Sequence, residues 1–81
     1  MNIRVKFFAM TRDIVGSHQQ TFTLSESATT NDLLEHLINQ YPKLSEWKSF
    51  IRIAVNQEYV THEQTLSEQD EVALIPPVSG G

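Results

Sequence analysis

Near its start the chain alternates apolar and polar side chains residue by residue. Between Asn2 and Phe8, Ile3, Val5 and Phe7 fall on one side while Arg4, Lys6 and Phe8 fall on the other. This is the period of a half-buried strand. Gly16 and Ser17 interrupt the pattern, and it resumes from Gln20 to Leu24 with Phe22 and Leu24 inward and Thr21 and Thr23 outward. Two such runs joined by a loop of this length predict a hairpin, with one helical turn over Met10 to Val15 in the connection.

The period then changes. Leu33, Leu34, Leu37, Ile38 and Tyr41 recur at i, i+1, i+4, i+5 and i+8, one stripe of an amphipathic helix. Thr29, three residues ahead of Asp32, supplies a capping pair: the hydroxyl accepts from first-turn amides and the carboxylate favours the positive helix end. Pro42 closes the helix, because its ring cannot continue the hydrogen-bond ladder. Trp47 and Phe50 are expected at the edge of the core. Alternation returns from Ile51 to Val55, with Ile51, Ile53 and Val55 inward and Arg52 and Ala54 outward. Asn56-Gln57-Glu58 reads as a turn, Tyr59-Val60 as a short strand, Ser67 to Glu71 as polar and turn-like, and Val72 to Ile75 as the last strand. The order is β-β-α-β-β-β, an α+β arrangement in which one main helix covers one face of a small mixed sheet. That is the layout of the β-grasp, or ubiquitin-like, fold. The expected organisation is a domain over residues 1–75 followed by an extended tail over 76–81.

Composition narrows the function classes. Eighty-one residues make one domain, which buries roughly 60% of the surface of its unfolded chain. No long apolar run is present to span a membrane, and the opening MNIRVKFF lacks the apolar core and cleavage site of a signal peptide. Cysteine is absent. This excludes disulfides, a thiol nucleophile and thiolate metal sites, and fits a cytoplasmic protein. The net charge of −4, with six basic residues that form no run, opposes binding to nucleic acid.

The most informative stretch is VALIPPVSGG, Val72 to Gly81. Two of the chain's three glycines stand in its last two positions, behind a pair of prolines. A Gly-Gly end on its own could be a frayed tail; a strand and Pro-Pro ahead of it argue for design. Gly81 has no Cβ to crowd an attack on its carbonyl carbon, and Gly80 lets the backbone approach a channel wall closely. Pro76-Pro77 favours a pre-stiffened, extended stalk. From Pro76 through Pro77, Val78, Ser79 and Gly80 to Gly81, six residues reach about 20 Å. That is enough to place the tip inside another protein's cleft.

Other candidates are weaker. His18, His36 and His62 are separated, with no i, i+4 pair, so no metal site is expected; His36 falls on the polar side of the helix. Asp70 and Glu71 read as a solvated turn, and Ser79 as a slim stalk residue with no histidine near it in sequence. No nucleophile–base pair is visible, so the chain is expected to carry no catalytic site of its own. For docking, Phe8 lies out of phase with Ile3, Val5 and Phe7, Ile75 is out of phase with Val72 and Leu74, and Tyr59 stands among polar neighbours. Exposed large apolar groups that cluster mark an interface. Phe8, Tyr59 and Ile75 are therefore expected to form a patch beside the stalk, with Arg12 as a polar contact, unless helix or loop residues cover them.

Three stretches read together, VKFFAMTRDIVG (Val5 to Gly16), AVNQEYV (Ala54 to Val60) and DEVALIPPVSGG (Asp70 to Gly81), resemble the small sulfur-carrier subunit of molybdopterin synthase. The resemblance covers both ends and the middle of the chain; the helix and the residues up to Phe50 carry little of it. It implies a role in molybdenum cofactor biosynthesis. The Gly81 carboxylate would be adenylated with ATP by a ubiquitin-activating-like adenylyltransferase, converted to a thiocarboxylate with sulfur from a donor protein, and inserted into the large synthase subunit. There it would deliver sulfur to a cyclic pyranopterin precursor, the two subunits forming a heterotetramer. No glycine-rich phosphate loop is present, so ATP would be handled by the partner and no cofactor bound. Family members commonly have glycine just before the Asp of DEV, where this chain has Gln69. If that turn needs a positive φ, glutamine is strained there. Sulfur carriers for thiamine or tRNA thiolation, and a β-grasp binding module with an idle tail, are the alternatives.

Overall fold

The structure, a computed structural model, describes residues 1–77. The chain runs β1 (Asn2–Phe7), α1 (Ala9–Val15), β2 (Gln19–Thr23), α2 (Thr30–Gln40), a 3₁₀ helix (Pro42–Trp47), β3 (Arg52–Val55), β4 (Glu58–Val60) and β5 (Glu71–Ile75). The strands form one mixed sheet in the order β2-β1-β5-β3-β4. β1 and β5 are parallel at its centre, and the other neighbours are antiparallel. This is the β-grasp fold, with the expected strand and main-helix order. Among the described residues, no helix is long and apolar enough to cross a membrane.

One face of the sheet makes the core. Ile3, Val5 and Phe7 of β1 are buried, as are Val72 and Leu74 of β5. They meet Leu33 and Leu37 of α2 in one cluster. Phe22 of β2 stands edge-on to Phe7, 6.5 Å between ring centroids, and the exposed His36 of α2 packs edge-on against Phe22. The expected capping pair is present. The Asp32 amide donates to the Thr29 hydroxyl at 3.2 Å, and the Asp32 carboxylate accepts from the Thr29 amide at 2.9 Å.

Four local features differ from the sequence reading. The helical turn after β1 extends over Ala9–Val15, a seven-residue helix. Pro42 ends α2 and at once starts the 3₁₀ helix, whose Leu44 is fully buried. A single inward leucine leaves no periodicity to read. Phe50 is not core edge. It is 59% exposed, with its ring edge-on to half-buried Trp47. Ala54 points to the outer face as expected yet is only 5% exposed, because it sits between Tyr59 of β4 and Ala73 of β5 and is too short to rise among its neighbours.

The long connection from β4 to β5 is tied down by its backbone. The Leu66 amide donates to Ala28, and the Thr30 amide to Gln64, which drives the Leu66 side chain into the core at 2% exposure. Among the described residues, three connections use the left-handed region without glycine: Ala9 (φ 50°) between β1 and α1, Asn56 and Gln57 (φ 51° and 72°) in the β3–β4 hairpin, and Gln69 (φ 69°) before β5. The turn ahead of β5 thus does require a positive φ, and Gln69 adopts it.

Candidate functional site

The candidate site is built where β5 leaves the sheet. β5 is held on both sides. Leu74 pairs with Phe7 of β1 and Ile75 with Arg52 of β3. Because β1 runs parallel to β5 and β3 runs antiparallel, the end of β1 and the start of β3 come to the same edge of the sheet as the end of β5. Phe8, Phe50 and Arg52 therefore gather around Ile75, though they are far from it in sequence. Pro76 is buried against the body, and Pro77 is the first exposed residue of the tail. Val78, Ser79, Gly80 and Gly81 lie outside the described residues.

Two adjoining depressions flank this exit on the outer face. The first has the paired Ala54 and Ala73 on its floor, with Lys6, Phe8, Tyr59 and Ile75 among its walls. The second is lined by Phe50, Arg52, Tyr59, Ile75, Pro76 and Pro77, with Ser49 and Ile51 beside them. Tyr59 and Ile75 belong to both, forming a ridge between them. Phe8, Phe50 and Tyr59, at 47%, 59% and 61% exposure, are the exposed large apolar side chains among the described residues. All three line these depressions. An apolar cluster left open in this way marks a binding surface.

Charge on the patch is sparse and placed. Lys6 Nζ lies 3.2 Å from Glu71 Oε1 at the wall of the first depression. The Arg52 guanidinium sits over the Tyr59 ring, 5.9 Å from its centroid, an arrangement favoured by the ring's negative face. Arg12 is exposed on α1 and lines neither depression. The cations that border the patch are Arg52 and the Glu71-paired Lys6. Among the described residues, no group of three or more His, Cys, Asp or Glu side chains could hold a metal ion. The surface offers contact, shape and one aromatic-stacked cation.

Sequence reasoning found Phe8, Tyr59 and Ile75, and the structure brings these three together. It missed Phe50 and Arg52. Phe50 has exposed neighbours in Lys48 and Ser49, a weak hint of exposure. For Arg52 no local signal exists, since its place beside the stalk follows only from pairing with Ile75.

The ThiS family model matches residues 5–81. The molybdopterin synthase sulfur carrier subunit of Chlamydomonas reinhardtii is 43% identical over 83 aligned positions, covering 100% of both chains. Its counterpart from Arabidopsis thaliana is 36% identical, over 100% of this chain and 84% of that one. Among solved structures, a putative molybdopterin converting factor subunit 1 from Pyrococcus furiosus superimposes with a TM-score of 0.86 at 30% identity, covering 96% of this chain and 99% of that one. A chain in the complex of subunits 1 and 2 of the molybdopterin-converting factor from Helicobacter pylori shares the fold, with a TM-score of 0.71 at 23% identity over 100% of both chains. Matched over nearly its whole length, the chain belongs to the ThiS family.

Proposed function

We propose that this chain is the sulfur carrier of a molybdopterin synthase and that it works through the carboxylate of Gly81. An adenylating enzyme joins a carboxylate oxygen to the α-phosphate of ATP, and pyrophosphate leaves. A sulfur donor then attacks the activated acyl carbon, AMP leaves, and a thiocarboxylate remains. The large synthase subunit takes in the tail, and the thiocarboxylate sulfur forms a C–S bond to the cyclic pyranopterin precursor as an oxygen substituent leaves that carbon. Water then cleaves the acyl C–S bond, so the sulfur stays on the precursor and the Gly81 carboxylate is regenerated. Two loaded carriers are used for each dithiolene.

The observation that carries this reading is the coincidence of two features at one edge of the sheet. The tail leaves from the central strand, clamped on both sides, and the exposed aromatic side chains ring its exit. A body that docks through this patch brings Pro77, where the tail begins, up to the surface it docks against. With Pro76 as the buried anchor, the five residues from Pro77 to Gly81 span at most roughly 18 Å, so the receiving active site lies within that distance of the docking surface. The relatives from Chlamydomonas reinhardtii, Arabidopsis thaliana and Homo sapiens, each named molybdopterin synthase sulfur carrier subunit, support the same reading.

The test is intact-mass analysis after incubation with ATP, the activating enzyme and sulfide. One oxygen is expected to be replaced by sulfur, and fragmentation is expected to place it on Gly81. A variant extended by a few residues past Gly81 should take up no sulfur. Undiminished cofactor synthesis by that variant, without trimming, overturns the proposal. Phe8→Ala and Ile75→Ala should each weaken binding to the large subunit, and unchanged affinity in both removes the patch.

A further inference from the structure

The end of β1 is held by the first turn of helix α1, of which Phe8 is the N-cap and Thr11 the third residue. The ladder of β1 reaches Phe7, which pairs with Leu74 and donates its amide to the His18 carbonyl. Phe8 is beyond that ladder. Immediately after it, Ala9 takes a left-handed conformation, φ 50°, which a residue bearing Cβ adopts only under constraint. The constraint comes from Thr11. Its hydroxyl donates to the Phe8 carbonyl at 2.6 Å and accepts from the Phe8 amide at 2.9 Å, while its own amide donates to the same carbonyl at 3.1 Å. Thr11 is fully buried, so water does not compete for that hydroxyl.

The Phe8 ring, by contrast, is 47% exposed, and packing alone leaves it much freedom. Its backbone is set at φ −125° and ψ 150°, and those angles limit the side-chain rotamers open to it. We propose that Thr11 is a positioning residue for docking: its buried hydroxyl grips both backbone groups of Phe8 and so presents the ring at the patch beside the stalk. The proposal rests on the docking role assigned above to Phe8. Pre-setting an anchor side chain lowers the ordering cost of association.

The test pairs Thr11→Val, which keeps the shape and removes the hydroxyl, with Thr11→Ser, which keeps the hydroxyl. Binding to the recombinant large subunit of molybdopterin synthase is measured by calorimetry, and the order of the Phe8 amide in the free protein is measured by ¹⁵N relaxation. Thr11→Val should weaken binding about three- to tenfold and lower the Phe8 order parameter. Thr11→Ser should restore both. In a Phe8→Ala background, Thr11→Val should change affinity by less than about twofold, because its effect passes through Phe8. If Thr11→Val does not fold, Thr11→Cys, with only a weak thiol donor, serves the same comparison. Wild-type affinity in Thr11→Val, or in Thr11→Cys where it stands in, an equal loss in the Phe8→Ala background, or an unchanged Phe8 order parameter overturns the proposal. Failure of the wild-type chain to bind the large subunit would instead sink the docking reading, while the relaxation measurement still decides whether Thr11 holds Phe8.

Discussion

At Gln69 the chain turns into its last strand through a φ of 69°, and the backbone there leaves little choice. The Gln69 amide donates to the Asn2 carbonyl at 2.8 Å, the Asp70 amide to Ser67 at 3.0 Å, and the Arg4 amide to Asp70 at 3.0 Å. The Asp70 carboxylate also accepts from the Ser67 amide and from the Asn56 side chain. These bonds lock the register in which β5 enters between β1 and β3, so the side chain must accept the left-handed conformation. A residue with Cβ is disfavoured there by roughly 1–2 kcal/mol. Glycine removes that strain but loses roughly 0.5–1 kcal/mol through its freer unfolded chain. The glutamine side chain adds little to the balance, since its hydrogen bond to Glu68 is long, at 3.4 Å, and lies on the exposed surface. Gln69→Gly should therefore stabilise the protein by about 0.5–1 kcal/mol, raising the melting temperature by about 2–8 °C for a domain of this size. Gln69→Ala is the control, because alanine keeps the strain and should bring no gain. Thermal and urea unfolding of the three proteins give the answer. A glycine variant no more stable than the alanine variant refutes the reasoning, and affinity for the large subunit should be unchanged in both.

Further expectations follow from the same geometry. Leu37→Ala, at a fully buried helix position, should cost about 2–5 kcal/mol, read as a fall in the urea midpoint. Thr29→Ala removes the hydroxyl that caps α2 and should cost about 1 kcal/mol, whereas Thr29→Ser should cost much less. Lys48→Met breaks the 2.7 Å pair with Glu35, but both groups are about half exposed, so stability should move by less than about 1 kcal/mol and by less still at high salt. Gln57→Gly turns the β3–β4 hairpin into Asn-Gly, the preferred pair for two left-handed positions, and a higher melting temperature would show it.

The strand alternation from Asn2 to Phe8, the leucine stripe of α2 and the Thr29–Asp32 cap were legible in the sequence because each is local. A period of two or 3.6 and a hydroxyl three residues from a carboxylate need no knowledge of distant residues. Phe8, Tyr59 and Ile75 stood out for the same reason, being out of phase with their own strands or set among polar neighbours. Leu44 and Leu66 were not legible, since each plugs the core from an irregular segment whose path is set by bonds to remote backbone. Phe50 and Arg52 joined the site only when β3 paired antiparallel with β5, and Ala54 became buried only when Tyr59 and Ala73 closed in on it. Thr11, an ordinary polar residue in the sequence, becomes a buried clamp because α1 folds back on the end of β1. By itself the sequence determined which segments could be strand or helix, where they stop, and the chemical character of the tail. Tertiary structure alone decided which strand ends share an edge, and hence what surrounds the tail's exit, because strand pairing joins residues according to register and direction, and neither is written in any one segment.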